Sequence, residues 1–390
     1  MKKIAIISSH PIQYNAPLFR LLAERGRIQA KVFYTWGQTK EGPVFDPNFG
    51  KTFQWDIPLL DGYEHQFIAN LSKSPGTGHF GGIVNKHLIP QIEAWQPDAL
   101  LVYGWSFRSH LQALRYFKGK IPVLFRGDST LLDEKSGFSV KKLARRIFLR
   151  WVYRHVDYCL YTGTANKAYY QCHGIKEHQL VYAPHAVENE RFAAEDAERT
   201  VAAKMWRRKL GISDGELVFL FAGKLEPKKD PVTLIKAFKE LDVPATRLVL
   251  AGDGVLESEL KTMATGDERI VFLPFQNQQA MPTLYRVGDI FVLGSKGPGE
   301  TWGLSVNEAM ACGLPVIVSS ACGCAPELII EGETGYIFKS DNKQDLKNAI
   351  LKMADKILIS RMSQLAARHI QHFNLGFLAE SIEKTLLEKK

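Results

Sequence analysis

The sequence predicts an α/β chain of two doubly wound domains, each a parallel sheet with helices on both faces, the two facing each other. Three observations carry that expectation. Short, near-continuous apolar runs alternate with amphipathic helical patterns, and the scheme then repeats once along the chain. At 390 residues the chain is longer than one ordinary core fills, and it suits two domains of about 150 to 200 residues. An apolar content of 45% with 23% charged residues, and no long Ser, Gln or Pro tract, marks a globular chain.

In order, the first half reads as strand KIAIIS, helix APLFRLLAERG, strands AKVFYT and ALLVY, helix SHLQALRYF, strand PVLFR, an amphipathic stretch from Ser139, then strands YCLYTG and LVYAPH. The second half reads as LVFLFAG, DPVTLIKAFKEL, RLVLAG, LESELKTMA, RIVFLP, QQAMPTLYRV, DIFVLGS, GLSVNEAMACG, PVIVSS and GYIF, again strand and helix in turn. The runs are short enough for strands and bounded by turn residues. The charged segment between Val187 and Gly211, followed by a fresh first strand at Leu217, is the expected domain boundary. Residues 35–82 are aromatic-rich with little periodicity; they read as an acceptor-binding insertion or, equally, as a packed excursion. Ligands of such sheets sit at the carboxyl ends of strands, so two opposed sheets imply an interdomain cleft.

Several classes are excluded or left without support. The N-terminal apolar run is about five residues, short of a signal peptide, and reads as a first buried strand. No apolar segment approaches the roughly 20 residues of a membrane span. Five irregularly spaced cysteines suggest no disulfide framework and suit a reducing cytosol, and CGC at 322–324 reads as a structural turn in preference to a metal site. A net charge of +9 implies an anionic partner, but no nucleic-acid-binding fingerprint accompanies it.

The loops after the second-half strands carry the chemistry. AGKLEPKKDP places Gly223, Lys224, Lys228 and Lys229 before a helix, an arrangement that suits a diphosphate or is simply a solvated turn. Gly252 and Gly254 lack the third glycine of a dinucleotide fingerprint and read as a tight turn. In GPGETWGLSVNEAMACGLPV, Glu300 precedes a helix and Glu308 lies inside it, with Gly313 and Pro315 closing it. Backbone N–H groups of Trp302 to Ser305 would cluster at the helix start, where a diphosphate is favoured. A carboxylate on each side suits a ligand with hydroxyls at both ends; the other reading makes Glu300 a dipole partner and Glu308 a surface residue.

ETWGLSVNEAMACGLPVIVSSACGCAPELIIEGETGYIF, with AGKLEPKKD, LVLAGDG and PHAVENERF, resembles the retaining glycosyltransferases of family 4, which have the GT-B fold. The resemblance covers the second half well and the first half mainly in layout. It implies an acceptor-binding domain over 1–190, a donor-binding domain over 191–370, and a C-terminal helical segment, 371–390, packing back on the first. It further implies that Glu308 holds the ribose of a nucleotide sugar and Glu300 a hydroxyl of the sugar. Lys224 and Lys229 would neutralise the diphosphate, and Gly223 and the backbone of Trp302, Gly303, Leu304 and Ser305 would touch sugar and phosphate. Leu273, Pro274 and Phe275 would line the base. The family usually has arginine where Lys224 stands, so charge is kept and bidentate contact is lost.

The first half departs from the pattern. The first loop, SSHPIQYN, lacks the usual glycine pair and offers His10 as an acceptor or phosphate contact, or as a packed histidine. His10, Gln13, Tyr14 and Trp105 are the acceptor-binding candidates. Where the family often has a histidine, this chain has Arg126 and Asp128: Asp128 would orient the acceptor hydroxyl and Arg126 steady charge, or the two form an internal pair.

No Asp-x-Asp occurs, so metal-independent transfer with retention and no cofactor is expected, the lysines and helix start taking the cation's part. A UDP-sugar is the expected donor, ahead of GDP-mannose, and a glycan or lipid-linked glycan the acceptor, as in cell-surface polysaccharide biosynthesis. A nucleotide-sugar epimerase of the same architecture and a non-catalytic sugar-nucleotide-binding protein are the alternatives. SVKKLARRIFLRWVYRH, 139–155, has six Lys or Arg and no acid. It either packs Val140, Leu143, Ile147 and Trp151 on its own domain with cations outward, or lies on an anionic membrane surface. A cytoplasmic location follows, peripheral at the inner membrane face in the second case.

Overall fold

Both large sheets are parallel throughout, and the chain divides into two units that each carry one. The computed structural model describes residues 1–37, 44–46, 51–132, 134, 137, 139–193, 197–297 and 299–388. The first unit comprises Met1–Val44, Pro58–His185 and Leu375–Lys390, and the second Phe45–Ile57 and Ala186–Asn374.

The first unit holds β1 (Lys3–Ser8), β2 (Gln29–Tyr34), β5 (Glu64–Phe67), β6 (Ala99–Tyr103), β7 (Val123–Arg126), β8 (Tyr158–Tyr161) and β9 (Leu180–Tyr182), while β3 (Val44–Asp46) and β4 (Lys51–Phe53) pair separately. Its helices are α1 (Ala16–Arg25), α2 (Leu88–Trp95), α3 (Arg108–Phe117), α4 (Val140–Tyr153), α5 (Thr164–Cys172) and, from the far end of the chain, α15 (Leu375–Glu388). The sheet order is β5-β2-β1-β6-β7-β8-β9. Successive side chains of a strand point to opposite faces, so Ile4 and Ile6 enter one core while Ala5 and Ile7 enter the other. That division explains why the strands read as continuous apolar runs. Helix α15 buries Leu378, Ala379, Ile382 and Leu386 in the core that holds Ile4, Phe19 and Leu22.

The second unit holds β10 (Leu217–Ala222), β11 (Thr246–Ala251), β12 (Ile270–Leu273), β13 (Ile290–Leu293), β14 (Val316–Ser319) and β15 (Gly335–Phe338) in the order β12-β11-β10-β13-β14-β15. Its helices are α6 (Asn189–Ala193), α7 (Ala197–Lys209), α8 (Pro231–Lys239), α9 (Glu257–Ala264), α10 (Met281–Val287), α11 (Leu304–Ala311), α12 (Ala325–Leu328), α13 (Lys343–Lys352) and α14 (Lys356–His369). All six residues of β10 are buried, and Phe219 and Phe221 pack with Leu248 and Leu250 of β11 in one core. The direction of strand ordering reverses between β10 and β13, which sets their following loops side by side.

Two first-half expectations meet a definite structure. Within 35–82, residues 38–43 and 47–50 lie outside the described residues. Residues 58–82 belong to the first unit: β5 adds to β2, and the Asn85 side chain donates to the carbonyls of Thr35, Ile68 and Ala69, each at 3.0 Å. The segment before it belongs to the second unit, where the Asn277 amide donates to the Gln54 carbonyl at 2.7 Å.

Helix α4 overturns the first of its two readings, in which the Val140–Trp151 stripe packs on its own domain. Val140, Leu143, Ile147 and Trp151 are exposed, and Leu149, Val152 and Tyr153 are buried. At about 100° per residue the two sets lie on opposite sides of the helix. The second set wins the core because Tyr153 meets Phe125, Tyr169 and Tyr170 edge-on there.

Candidate functional site

In the second unit the loops after β10 and β13 are laced together. The Lys296 N–H donates to the Lys228 carbonyl at 2.9 Å, and the Lys296 ammonium lies 3.2 Å from the buried Asp230 carboxylate. Asp230, with φ 49°, caps α8 by accepting from the Thr233 N–H. A side chain at Gly252 would put Cβ 1.9 Å from the Gly223 carbonyl oxygen, and one at Gly254 would put it 2.4 Å from that of Leu225. These two glycines therefore serve backbone contact between neighbouring loops, in line with the turn reading and not with a dinucleotide fingerprint.

That lacing brings Lys229 and Glu300 into a salt bridge. Glu300 is buried, and its Oε2 also accepts from the Ser295 hydroxyl at 2.9 Å. Burial pushes the Glu300 carboxyl up, but the charge and hydrogen bond of Lys229, the charge of Lys228 and the Ser295 hydroxyl together hold it below its ordinary value. The carboxylate is thus kept anionic, an acceptor of hydrogen bonds. Lys229, expected to face a diphosphate, here neutralises Glu300.

Helix α11 begins at Leu304 with Gly303 as its N-cap at φ 105°, so its first N–H groups are free of intrahelical acceptors. Leu304 and Ser305 are half-buried at this start. Trp302 is buried, its indole N–H donating to Asn307 Oδ1 at 2.8 Å, so its ring fixes the turn. Behind it, the Gly323 N–H donates to the Glu300 carbonyl and the Cys324 N–H to that of Trp302, both at 3.1 Å. The CGC segment is a structural turn against this loop, with burial pushing both thiols up. Among the described residues no cluster of three or more His, Cys, Asp or Glu could hold a metal ion.

Glu308 is buried one turn into α11, and its Oε2 accepts from the Tyr285 hydroxyl at 2.7 Å. Tyr285 lies on α10, and no local spacing ties it to Glu308; sequence reasoning missed it for that reason. Gly223 and Lys224 follow β10, while Leu273 ends β12 and Pro274 and Phe275 follow it on the other side of β11, with Pro274 exposed. The Gly252 N–H donates to the Leu273 carbonyl at 2.9 Å, joining that segment to the β11 loop.

The first unit has its own switch point, between β1 and β6. His10 follows β1 with its Nδ1 2.9 Å from Ser9 Oγ, and burial pushes its imidazole down, towards the neutral form. Gln13 and Tyr14 are half-buried in the turn before α1, and Trp105 follows β6, its ring 5.4 Å from that of Phe148. Buried His110 holds the base of this loop: Thr35 Oγ1 is 2.9 Å from its Nε2, and the carbonyls of Tyr103 and Gly104 are each 3.1 Å from its Nδ1. Burial pushes it down to about 4, so it is a neutral structural group.

Arg126 and Asp128 divide. Buried Arg126 donates to the carbonyls of Ala183 at 2.7 Å and Pro184 at 3.3 Å, tying β7 to the end of β9. Asp128 is exposed, 4.0 Å from His185 Nε2. Burial and then the Arg126 charge push the His185 imidazole down, with Asp128 opposing. His185, near the start of PHAVENERF, is a neighbour of Asp128 that sequence reasoning missed.

Residues 203–368 match the family model described as glycosyl transferases group 1. A D-inositol 3-phosphate glycosyltransferase from Mycobacteroides abscessus is 29% identical over 187 residues, which are 45% of this chain and 40% of that protein. One from Mycobacterium tuberculosis is 32% identical over 183 residues, 43% and 36% of the two chains. The chain thus matches about two fifths of these relatives' length. Among solved structures, Anabaena Alr3699/HepE in complex with UDP and glucose superposes with a TM-score of 0.71 at 19% identity over 99% of both chains. WaaG, a glycosyltransferase involved in lipopolysaccharide biosynthesis, gives 0.68 at 14%, over 99% of this chain and 100% of its own. These likenesses establish the fold class, two parallel-sheet α/β domains of the GT-B type.

Proposed function

We propose that the chain is a group 1 glycosyltransferase that moves a sugar from a nucleoside diphosphate sugar, with a UDP-sugar preferred, to a glycan or lipid-linked glycan, with retention and without a metal ion. The observation that carries this reading is the salt bridge of Lys229 with buried Glu300 beside the start of α11, within the segment that matches the family model. The second unit binds the donor. Its diphosphate takes the free N–H groups of Leu304 and Ser305 and the charge of Lys224. Glu308 accepts from the ribose hydroxyls, and Glu300, held ionised by Lys229, accepts from a hydroxyl of the sugar.

The first unit binds the acceptor, with His10, Gln13, Tyr14, Trp105, Arg126 and Asp128 as its candidates. The bond from the anomeric carbon to the diphosphate oxygen breaks as the acceptor oxygen bonds to the same face. The acceptor proton passes to the departing diphosphate. The helix start and Lys224 stabilise the charge that grows on that diphosphate. Peripheral association with an anionic membrane surface through 139–155 belongs to the same reading.

Thermal melts with UDP-, GDP- and ADP-sugars test donor binding, since a bound ligand raises apparent stability. Nucleoside diphosphate release that requires acceptor and persists in excess chelator supports transfer. Release without acceptor, product of inverted configuration, or an absolute Mg²⁺ or Mn²⁺ requirement overturns it.

A further inference from the structure

The outer face of α4 is apolar, although it is the most basic helix of the chain. Val140, Leu143, Ile147 and Trp151 are 73%, 48%, 63% and 37% exposed, and Phe148 beside them is 43% exposed. On the helix the stripe is flanked by Lys141 and Arg145 on one side and Arg150 and Arg154 on the other. Lys142 and Arg146 turn inward, where Glu134 pairs with them at 3.1 and 3.4 Å. Among the described residues no acid pairs with the four flanking cations, so they remain available beside the stripe. This order, apolar centre with cationic flanks facing outward, is that of a helix lying in a bilayer interface with its charges at head-group level.

Two further observations fit the same surface. Arg150 and Arg154 also line a pocket of about 350 Å³ with Lys118 and His173, of a size to take a phosphate head group. The stripe also continues through Phe148 to Trp105, in the loop after β6, so a surface docked on α4 reaches the loop where one of the first unit's acceptor candidates lies.

We propose that α4 docks the protein on an anionic lipid bilayer, with the Val140–Leu143–Ile147–Trp151 stripe in the interface and Lys141, Arg145, Arg150 and Arg154 on lipid phosphates. The proposal deepens the membrane part of the function above and rests on that part, but not on the donor site. Charge complementarity selects this occupant: each cation near an anionic surface strengthens binding about fivefold, and a second copy of this chain would bring like charges together.

Flotation of the full chain with phosphatidylglycerol-containing and pure phosphatidylcholine vesicles tests it. The expected result is binding to the anionic vesicles at low salt, weakening as salt rises. Leu143→Asp/Ile147→Asp should bind about tenfold or more weakly with unchanged melting temperature, and Arg150→Gln/Arg154→Gln should weaken binding to anionic vesicles only. No flotation at low salt, equal flotation of the Asp double variant, or a wild-type dimer that this variant dissociates would overturn the proposal. Stabilisation by UDP, read on the same samples, reports on the second unit: its absence with flotation intact would sink the transferase reading alone.

Discussion

Tyr285 donates a 2.7 Å hydrogen bond to Glu308 across two helices, and both side chains are buried. The hydroxyl therefore fixes which way the Glu308 carboxylate points. Tyr285→Phe keeps the ring and its edge contacts with Phe192 and Phe291 and removes only the donor. Leaving a buried acceptor short of a partner costs about 1–3 kcal/mol. The variant should melt lower by that amount and bind UDP about tenfold more weakly, while Glu308→Ala should weaken UDP further. UDP binding unchanged in both, measured by titration calorimetry, would remove Glu308 from the donor site.

Lys229 and Glu300 make a prediction in pH. Glu300 titrates below its ordinary 4.5, so its contribution to stability is present above the unfolded value and lost as pH falls through the folded one. Lys229→Met removes the main influences opposing burial, and the carboxyl then rises. The variant should be less stable by about 1–3 kcal/mol near pH 7, and this deficit should shrink as pH falls towards about 4.5. Turnover should fall with little change in UDP affinity. A deficit independent of pH would mean that Lys229 acts by packing and not by charge.

The elements were legible because parallel strands buried on both faces leave continuous apolar runs: β1, β6 and β15 match KIAIIS, ALLVY and GYIF residue for residue. Strand β5 was not, since its residues EHQF at a sheet edge are at most half-buried and carry no such run. Glu300, Glu308 and the lysine loop were visible as charges in apolar or glycine-rich surroundings. What they touch was not visible. Tyr285, Ser295 and Asp230 owe their place to the reversal of strand order between β10 and β13, a property of the sheet that no local spacing encodes. The face of α4 that enters the core was not legible because both of its sides carry apolar residues at helical spacing, and only the partners of Tyr153 decide between them.

Gly323 tests how the glutamate loop is held. A side chain there would place Cβ 1.7 Å from the Thr301 carbonyl oxygen, which only a backbone shift can relieve. The same N–H that Gly323 gives to the Glu300 carbonyl moves with it. Gly323→Ala should cost about 3 kcal/mol and lower donor binding, whereas Gly215→Ala, with nothing within 4 Å of the new Cβ, should leave both unchanged. Donor affinity and melting temperature in the two variants provide the comparison, and a neutral Gly323→Ala would mean that the loop yields freely.

Arg25 and Glu383 hold α15 to the first unit through two hydrogen bonds of 2.8 Å. Their burial is unequal: the Arg25 side chain is 25% exposed and that of Glu383 is 1% exposed. Removing Glu383's charge lets Arg25 turn to water, but removing Arg25 leaves a buried carboxylate with Arg27, at 3.5 Å, as its remaining cation. Breaking a buried pair from the side that strands a charge is the costlier change. Arg25→Ala should therefore destabilise by about 3 kcal/mol and Glu383→Gln by about 1 kcal/mol, both without effect on UDP binding. Urea unfolding of the two variants decides it, and equal losses would mean that Arg27 swings in to take Arg25's place.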